Sequence, residues 1–439
     1  MIKNITALLG AIAAVVSLSL ADSVPEASAQ DTKKMVQNNF VETAQKGIKL
    51  SGYVDSGYSY NFAGSGNQSN INGRLGTDTA QRGDFNLYAV KIAIEKALTS
   101  ENKAQAGFRT DIMLGEDATY FLNRTGGATT NVDNNSNSLF LEQAYVEIRA
   151  PVGNGWDFKV GKFVSVLGYE VMERPANMNT TFGLLFNLMP LYYTGVFSSY
   201  KFDDYIDMKL GVVNGSNSDN NTTLNPNAGD GCAVIASLDF TAPSGNATWS
   251  NNIQYSTGND NNTSVSSTST SQNSEAAVAP PGISVSSFLF LYNSWGNWAP
   301  RFADGKLLFA FDTLLGQATG SSTRPSNVNT CRYGAALYAK YQFNNWFYLA
   351  GRGESIGSNN SGAFGNQGSA STAANHVTGN NLWEYTLTAG FNVIDNLLIR
   401  TEYRMDWGSN IYGTASGNQN GAQSGGPVYY AGAEVVYSF

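Results

Sequence analysis

Four ionisable side chains stand at every second position in DNLLIRTEYRMDW: Arg400, Glu402, Arg404 and Asp406. Leu397, Ile399, Thr401, Tyr403, Met405 and Trp407 alternate with them. Two is the side-chain period of a strand, so one face is a column of charge and the other is apolar. In a dry core each unpaired ion would cost several kcal/mol or more. The column therefore belongs against water, where it can attract, repel and hydrogen-bond solutes. The pattern recurs. Lys91 and Glu95 oppose Val90, Ile92 and Ile94; Arg109 and Asp111 oppose Phe108 and Ile112; Tyr145, Glu147 and Arg149 oppose Ala144, Val146 and Ile148; Asp207 and Lys209 oppose Ile206, Met208 and Leu210. Arg352 and Glu354 share a face in the same way.

Catalysis has less to work with. An activated nucleophile usually needs a histidine base, and the sole histidine, His376, lies in an Asn/Ser/Gly-rich stretch. A carboxylate pair could act without one. There is no His/Cys cluster at metal-ligand spacing and no phosphate-binding glycine loop, so no metal or cofactor is expected. A formal charge of −8 argues against nucleic acid.

A second group of candidates lies in GYEVMERPANMNTTFGLLFNLMP, residues 168–190. It carries Glu170, Glu173 and Arg174, and its second half is strongly apolar: Phe182, Leu184, Leu185, Phe186, Leu188 and Met189. As a loop on a barrel rim it has only the interior in which to bury them. The expectation is a loop that folds inward and narrows the lumen, where charges set selectivity. The other reading is an external contact surface.

The elements that position these residues are strands. Alternating segments fall near 48–62, 83–97, 103–114, 138–150, 155–167, 191–203, 204–214, 229–242, 246–257, 283–294, 304–315, 329–343, 345–356, 381–393, 395–407 and 428–439, sixteen in all. Their connections alternate between long and short along the chain. The long ones are 63–82, 115–137, 168–190, 215–228, 258–282, 316–328, 357–380 and 408–427. No proline falls inside a predicted strand, where it would remove a ladder hydrogen bond. Long loops on one rim and tight turns on the other describe an all-β, closed, antiparallel transmembrane barrel of about sixteen strands. A soluble sandwich would also alternate, but would not segregate its loops. In WDFKVGKFVSVLG, Lys162 has the parity of Phe158 and Val160. Either a bulge at Gly161 shifts the register or Lys162 snorkels at a rim.

The N-terminus reads as a targeting segment. Lys3 precedes an apolar stretch and Ala27-Ser28-Ala29 is a small-residue cleavage site, so residues 1–29 are a signal peptide. Residues 30–47 are a short periplasmic segment, read as a helix, a tail or a lumenal plug; the barrel takes 48–439. After the signal no apolar run reaches the roughly 18 residues of a spanning helix, and mean hydropathy is −0.23. Cys232 and Cys331 start strands four apart, roughly 20 Å around the wall at strand spacing, so two free thiols are expected. The final segment VYYAGAEVVYSF puts Tyr437 and Phe439 on its apolar side and Glu434 on the other. It reads as the closing strand, pairing with 48–62, with its aromatics at the inner interface of the bilayer.

The segments EQAYVEIRAPVGNGWDFKVGKFVSVLGYEVMERPANMNTTFGLLFNLMPLYYTGV, SGYVDSGYSYNF and RTEYRMDW resemble the OmpL-like family of outer-membrane β-barrel porins. The likeness runs from about residue 48 to Phe439. It implies passive passage of small hydrophilic solutes or ions through a water-filled channel in the bacterial outer membrane, with no enzymatic activity. The solute and the charge preference stay open. Similarity to general sixteen-strand porins implies that the loop after the fifth strand constricts the pore. Glu170, Glu173 and Arg174 would then face basic wall residues among Arg109, Arg149, Arg352, Arg400 and Arg404. The same resemblance suggests a homotrimer embedded in outer-membrane lipid. It also makes the terminal aromatic Phe439 the signal read by the barrel-assembly machinery. A structural or adhesive barrel with a plugged lumen is the alternative.

Overall fold

The structure is a computed structural model. It describes residues 41–42, 47–62, 67–69, 84–124, 139–214, 232–256, 288–318, 330–359, 381–408, 412–414 and 427–439. Residues 1–29, read above as a signal peptide, most of 30–47, His376 and most of the long connections lie outside the described residues.

Sixteen antiparallel strands close on themselves. They are β1 Lys49–Asn61, β2 Asp84–Lys96, β3 Gln105–Leu114, β4 Leu139–Ala150, β5 Trp156–Val164, β6 Tyr192–Lys201, β7 Ile206–Asn214 and β8 Cys232–Thr241. There follow β9 Ala247–Ser256, β10 Phe288–Trp298, β11 Leu307–Ala318, β12 Thr330–Asn344, β13 Phe347–Ser358, β14 Asn381–Ile394, β15 Leu397–Gly408 and β16 Val428–Ser438. Each pairs with its neighbours in sequence, and β16 pairs with β1 from Tyr430↔Asn61 to Ser438↔Tyr53. Beyond the strand, Phe439 and Gly52 exchange both main-chain hydrogen bonds at 2.9 Å. The seam therefore runs through the last residue. Closure is what a strand needs in hydrocarbon, where an open edge would leave its N–H and C=O groups unpaired.

All sixteen expected strands are present, and the two faces separate as the alternation required. On β14, Trp383, Tyr385 and Leu387 are 46%, 46% and 43% exposed, while Glu384, Thr386 and Thr388 are buried inside. On β16, Val435 and Tyr437 face out and Glu434 faces in. Exposed aromatics gather at both ends of the outer surface. Trp298, Phe302, Phe343 and Trp346 stand by the short turns; Phe85, Tyr255, Tyr333 and Trp383 stand by the long connections. Aromatic girdles around an apolar band mark a membrane-spanning barrel.

Two expectations need correction. The connection 115–137, read as a loop, begins with α1, Glu116–Arg124. Glu116 and Asp117 lie in its first turn, where the helix dipole favours acids. Ala118 and Phe121 are buried on its inner face. There is also no bulge at Gly161. The register runs unbroken through Val160↔Val146, Gly161↔Tyr145 and Lys162↔Ala144. Lys162 keeps its outward parity; its ammonium donates to the Leu141 carbonyl at 2.5 Å and lies 3.6 Å from the Tyr192 ring centroid. The nearby irregularities fall instead on β2 and β4. Tyr88 is passed over between Asp55↔Ala89 and Ser56↔Leu87, and Glu142 between Asp111↔Gln143 and Ile112↔Leu141. Each bulge turns two successive residues, Tyr88 with Ala89 and Glu142 with Gln143, into the buried interior.

Smaller features complete the wall. Val41–Glu42 pairs with Leu50 and Lys49, the stretch of β1 that β16 leaves uncovered. Asn67–Ser69 pairs with Tyr412–Thr414, joining two of the long connections. Cys331 is a free thiol, and Cys232 opens β8, with three strands between β8 and β12.

Candidate functional site

The segment between β5 and β6 turns into the barrel. Along it Met178, Phe182, Leu184, Leu185, Phe186, Leu188 and Met189 are all buried. Leu184, Leu185, Leu188 and Met189 pack with Leu291, Ala336, Tyr338 and Ile356 from the far wall and with Phe163 and Tyr193 of β5 and β6. Phe182 and Phe186 join α1 and the near wall through Tyr120, Phe121, Phe140 and Tyr192. The two loop phenylalanines stack at 4.1 Å and 11°. A fully buried apolar side chain contributes roughly 1.5–3 kcal/mol, so this half of the loop is strongly held. The sequence put the apolar residues there; the interior is where they are covered.

The wall grips the same segment by its main chain. On β15, Arg400 donates to the carbonyls of Arg174, Asn177 and Asn179 at 3.0, 2.9 and 3.3 Å. Glu402 accepts from the Thr180 and Thr181 N–H groups at 2.5 and 2.9 Å. Arg404 donates to the Phe182 carbonyl at 2.6 Å. On β13, Arg352 donates to the Thr181 carbonyl at 2.6 Å, and Glu354 accepts from Leu184 and Leu185 N–H. Opposite, Gly168 N–H reaches Asn293 and Tyr169 N–H reaches Asp312, each at 2.9 Å. An irregular segment out of water needs such partners for its peptide groups. Burial and the adjoining Glu170 carboxylate push the Tyr169 phenol up.

The loop's three charged residues each find a wall or helix partner. Glu170 pairs with Arg352 at 2.6 Å and also accepts from Gly183 N–H at 2.7 Å. Arg174 is fully buried against Asp117 of α1 at 2.7 Å, with its guanidinium carbon 3.8 Å from the Phe182 ring centroid. Glu173 reaches Lys91 at 2.8 Å. The basic wall residue that Glu170 faces is Arg352. Arg174 faces an acid on a helix that the sequence reading did not contain.

The wall residues divide into two groups. Arg352, Glu354, Arg400, Glu402, Arg404 and Asp406 are buried beneath the loop. There Arg404 grips Asp406 at 2.9 and 2.8 Å, Arg352 holds Glu384 at 2.9 Å, and Arg400 contacts Glu434. Lys91 sits among Asp111, Glu142 and Glu173 at 3.2, 2.9 and 2.8 Å, taking the central position among three converging carboxylates. The second group lies toward the short turns and stays partly exposed. Arg109 bridges Glu95 and Asp111 at 3.1 and 2.9 Å, Glu147 lies 4.0 Å from Lys159, and Arg149 holds Asp157 at 2.6 Å. The register places Glu147 opposite Lys159 and Arg149 opposite Asp157.

Asp117, Glu142, Asp312, Glu384 and Asn293 were missed as site residues. A signal existed for Glu384, through Trp383/Tyr385/Leu387 alternating with Glu384/Thr386/Thr388. Glu142 had none, because a bulge changes parity without a sequence mark. Tyr437 lies exposed on the outer face opposite Leu397 and Val54, and Phe439 closes the seam.

A closed barrel with a lipid-type outer belt and a charged interior spanned by an in-folded segment is a channel-class barrel of the bacterial outer membrane. Solved structures with the same fold include the outer membrane channel DcaP of Acinetobacter baumannii, with 12% identity, TM-score 0.54, and coverage of 91% of this chain and 99% of that one. An anion-selective porin from Comamonas acidovorans matches at 8% identity and TM-score 0.53, over 89% and 99% of the two chains. OprB of Pseudomonas putida matches at 12% and 0.53, over 90% and 94%. Comparison with curated proteins returns no match. Residues 47–439 match the family described as "Putative beta-barrel porin-2, OmpL-like", and the chain belongs to that family of outer-membrane porins. Family and fold point to a channel rather than an enzyme.

Proposed function

We propose that this chain is a diffusion porin for small hydrophilic solutes or ions, with the 168–190 loop as its constriction. The observation that carries the reading is the Glu170–Arg352 pair, which ties an in-folded loop to the charged wall midway along β13. Solutes move down their gradient, size is set by the loop, and charge preference by side chains left facing water. Among these are Glu95, Arg109, Glu147 and Lys159, which balance in sign. The test is conductance of the pure, folded protein in planar bilayers, where a silent protein would refute it. A second reading, a structural or adhesive barrel with a plugged lumen, draws support from the burial of wall charges beneath the loop. It predicts silence that ends when the loop is shortened.

The rest of the proposal concerns biogenesis and assembly. Residues 1–29 are removed as a signal peptide, 30–47 remain as a short periplasmic segment, and the barrel occupies 48–439. The outer belt faces outer-membrane lipid, the terminal strand with Tyr437 and Phe439 is read by the barrel-assembly machinery, and three copies associate. Crosslinking in native membranes checks the trimer, for which a monomer-only pattern would be the contrary result.

A further inference from the structure

Beneath the loop the wall has an order that a selectivity filter does not require. Along β15, Arg400, Glu402 and Arg404 alternate donor, acceptor, donor, and on β13 Arg352 and Glu354 repeat donor, acceptor. What they bind in residues 174–185 is chiefly main chain, with the Thr181 hydroxyl also accepting from Arg352 at 3.2 Å. The arginines take carbonyls and the glutamates take N–H groups. The bound chain also climbs the wall in one direction. Residues 174–179 lie at Arg400, 180–181 at Glu402, 181–182 at Arg352 and Arg404, and 184–185 at Glu354. Successive side chains on one strand face are about 6.6–6.8 Å apart, and the loop meets them through a tight turn at Arg174–Ala176 and bends, which bring the carbonyls of 174, 177 and 179 onto one guanidinium. Contacts to loop side chains are fewer, Thr388 with Asn179 at 2.7 Å being one.

We propose that Arg352, Glu354, Arg400, Glu402 and Arg404 form a backbone-reading site for short peptides, and that residues 174–185 are its built-in occupant. The proposal rests on the channel reading and names its solute class. The alternating signs give the class. A dianion would gain the arginines but meet Glu354 and Glu402, and a cation would meet the reverse. A peptide offers carbonyls and N–H groups together and satisfies both. The tethered loop competes at high effective concentration, so a free peptide binds weakly until the loop is loosened.

The experiment is single-channel recording of the full-length protein in planar bilayers, with N-acetyl-trialanine amide as the probe and a neutral sugar of similar mass as control. The peptide should interrupt the current more often than the sugar. Glu170→Ala, which removes the ion pair to Arg352 and the acceptor of Gly183 N–H and so loosens the loop without changing a wall residue, should raise peptide block about tenfold or more. Glu402→Gln should lower it about tenfold in that background, as expected for one charge-assisted hydrogen bond. A conducting channel in which the peptide blocks no better than the sugar, in wild type and in Glu170→Ala alike, overturns the peptide site and leaves the porin reading standing. If Glu402→Gln fails to assemble, the wild-type and Glu170→Ala comparison decides. No conductance in any variant overturns the porin reading and the peptide site with it.

Discussion

Gly183→Ala isolates the loop from the barrel. Gly183 sits directly on the Glu354 carboxylate, and a Cβ there would overlap both of its oxygens, approaching one to 2.6 Å. That carboxylate cannot swing away freely. It accepts from Leu184 N–H, from Leu185 N–H at 3.4 Å and from Tyr338 Oη at 3.3 Å, and lies 3.9 Å from Arg352. Displacing it sacrifices at least one hydrogen bond to a buried charge, about 1.5–3 kcal/mol. The Gly183 N–H bond to Glu170 is strained by the same movement. None of this touches the interstrand ladder, so the barrel should assemble and shift on a heated gel as wild type does. The docked-to-released ratio of the loop should fall about tenfold to a hundredfold. In single-channel records the time spent at a higher conductance level should rise by that factor. Gly353→Ala, on the outer face with nothing within 4 Å, is the control and should leave the records unchanged. A Gly183→Ala channel with wild-type conductance levels and dwell times would refute the reasoning, since the loop would then bear no relation to current.

Asp117→Asn removes the negative charge paired with fully buried Arg174, which keeps its bond to the Thr180 carbonyl. Breaking such a pair on one side costs about 3–5 kcal/mol, so chymotryptic cleavage at Phe182 or Phe186 should accelerate by about a hundredfold or more; an unchanged rate counts against the helix as the loop's anchor. Deleting Phe439 removes the last pair of seam hydrogen bonds to Gly52. The yield of heat-modifiable barrel in outer membranes should drop while the conductance of assembled protein is retained, and normal yield would contradict this. Alkylation without reductant should add two adducts by mass, because three strands separate β8 from β12; a single species lacking adducts would mean a disulfide and a wrong register.

The alternation of charge and apolar side chains determined the architecture. Period-two patterning decides strand and face together, and the alternation of long with short connections decides which ends share a rim. Sixteen strands, the outward Tyr437, the inward Glu434 and the closing pair of β16 with β1 all follow from local pattern. Composition marked the 168–190 loop, since six large apolar residues in a row of loop positions need cover. Which wall residues meet it could not be read, because Arg352 and Glu170 are 182 positions apart and meet only across the closed lumen. The bulges at Tyr88 and Glu142 and the helix Glu116–Arg124 escaped for a related reason. A one-residue register change or a short helix is selected by what it packs against, here the inner face of the loop. Arg400 and Arg404 illustrate the division most clearly. Their period put them inside the barrel, but only the folded loop decides that they hold a peptide backbone rather than open water.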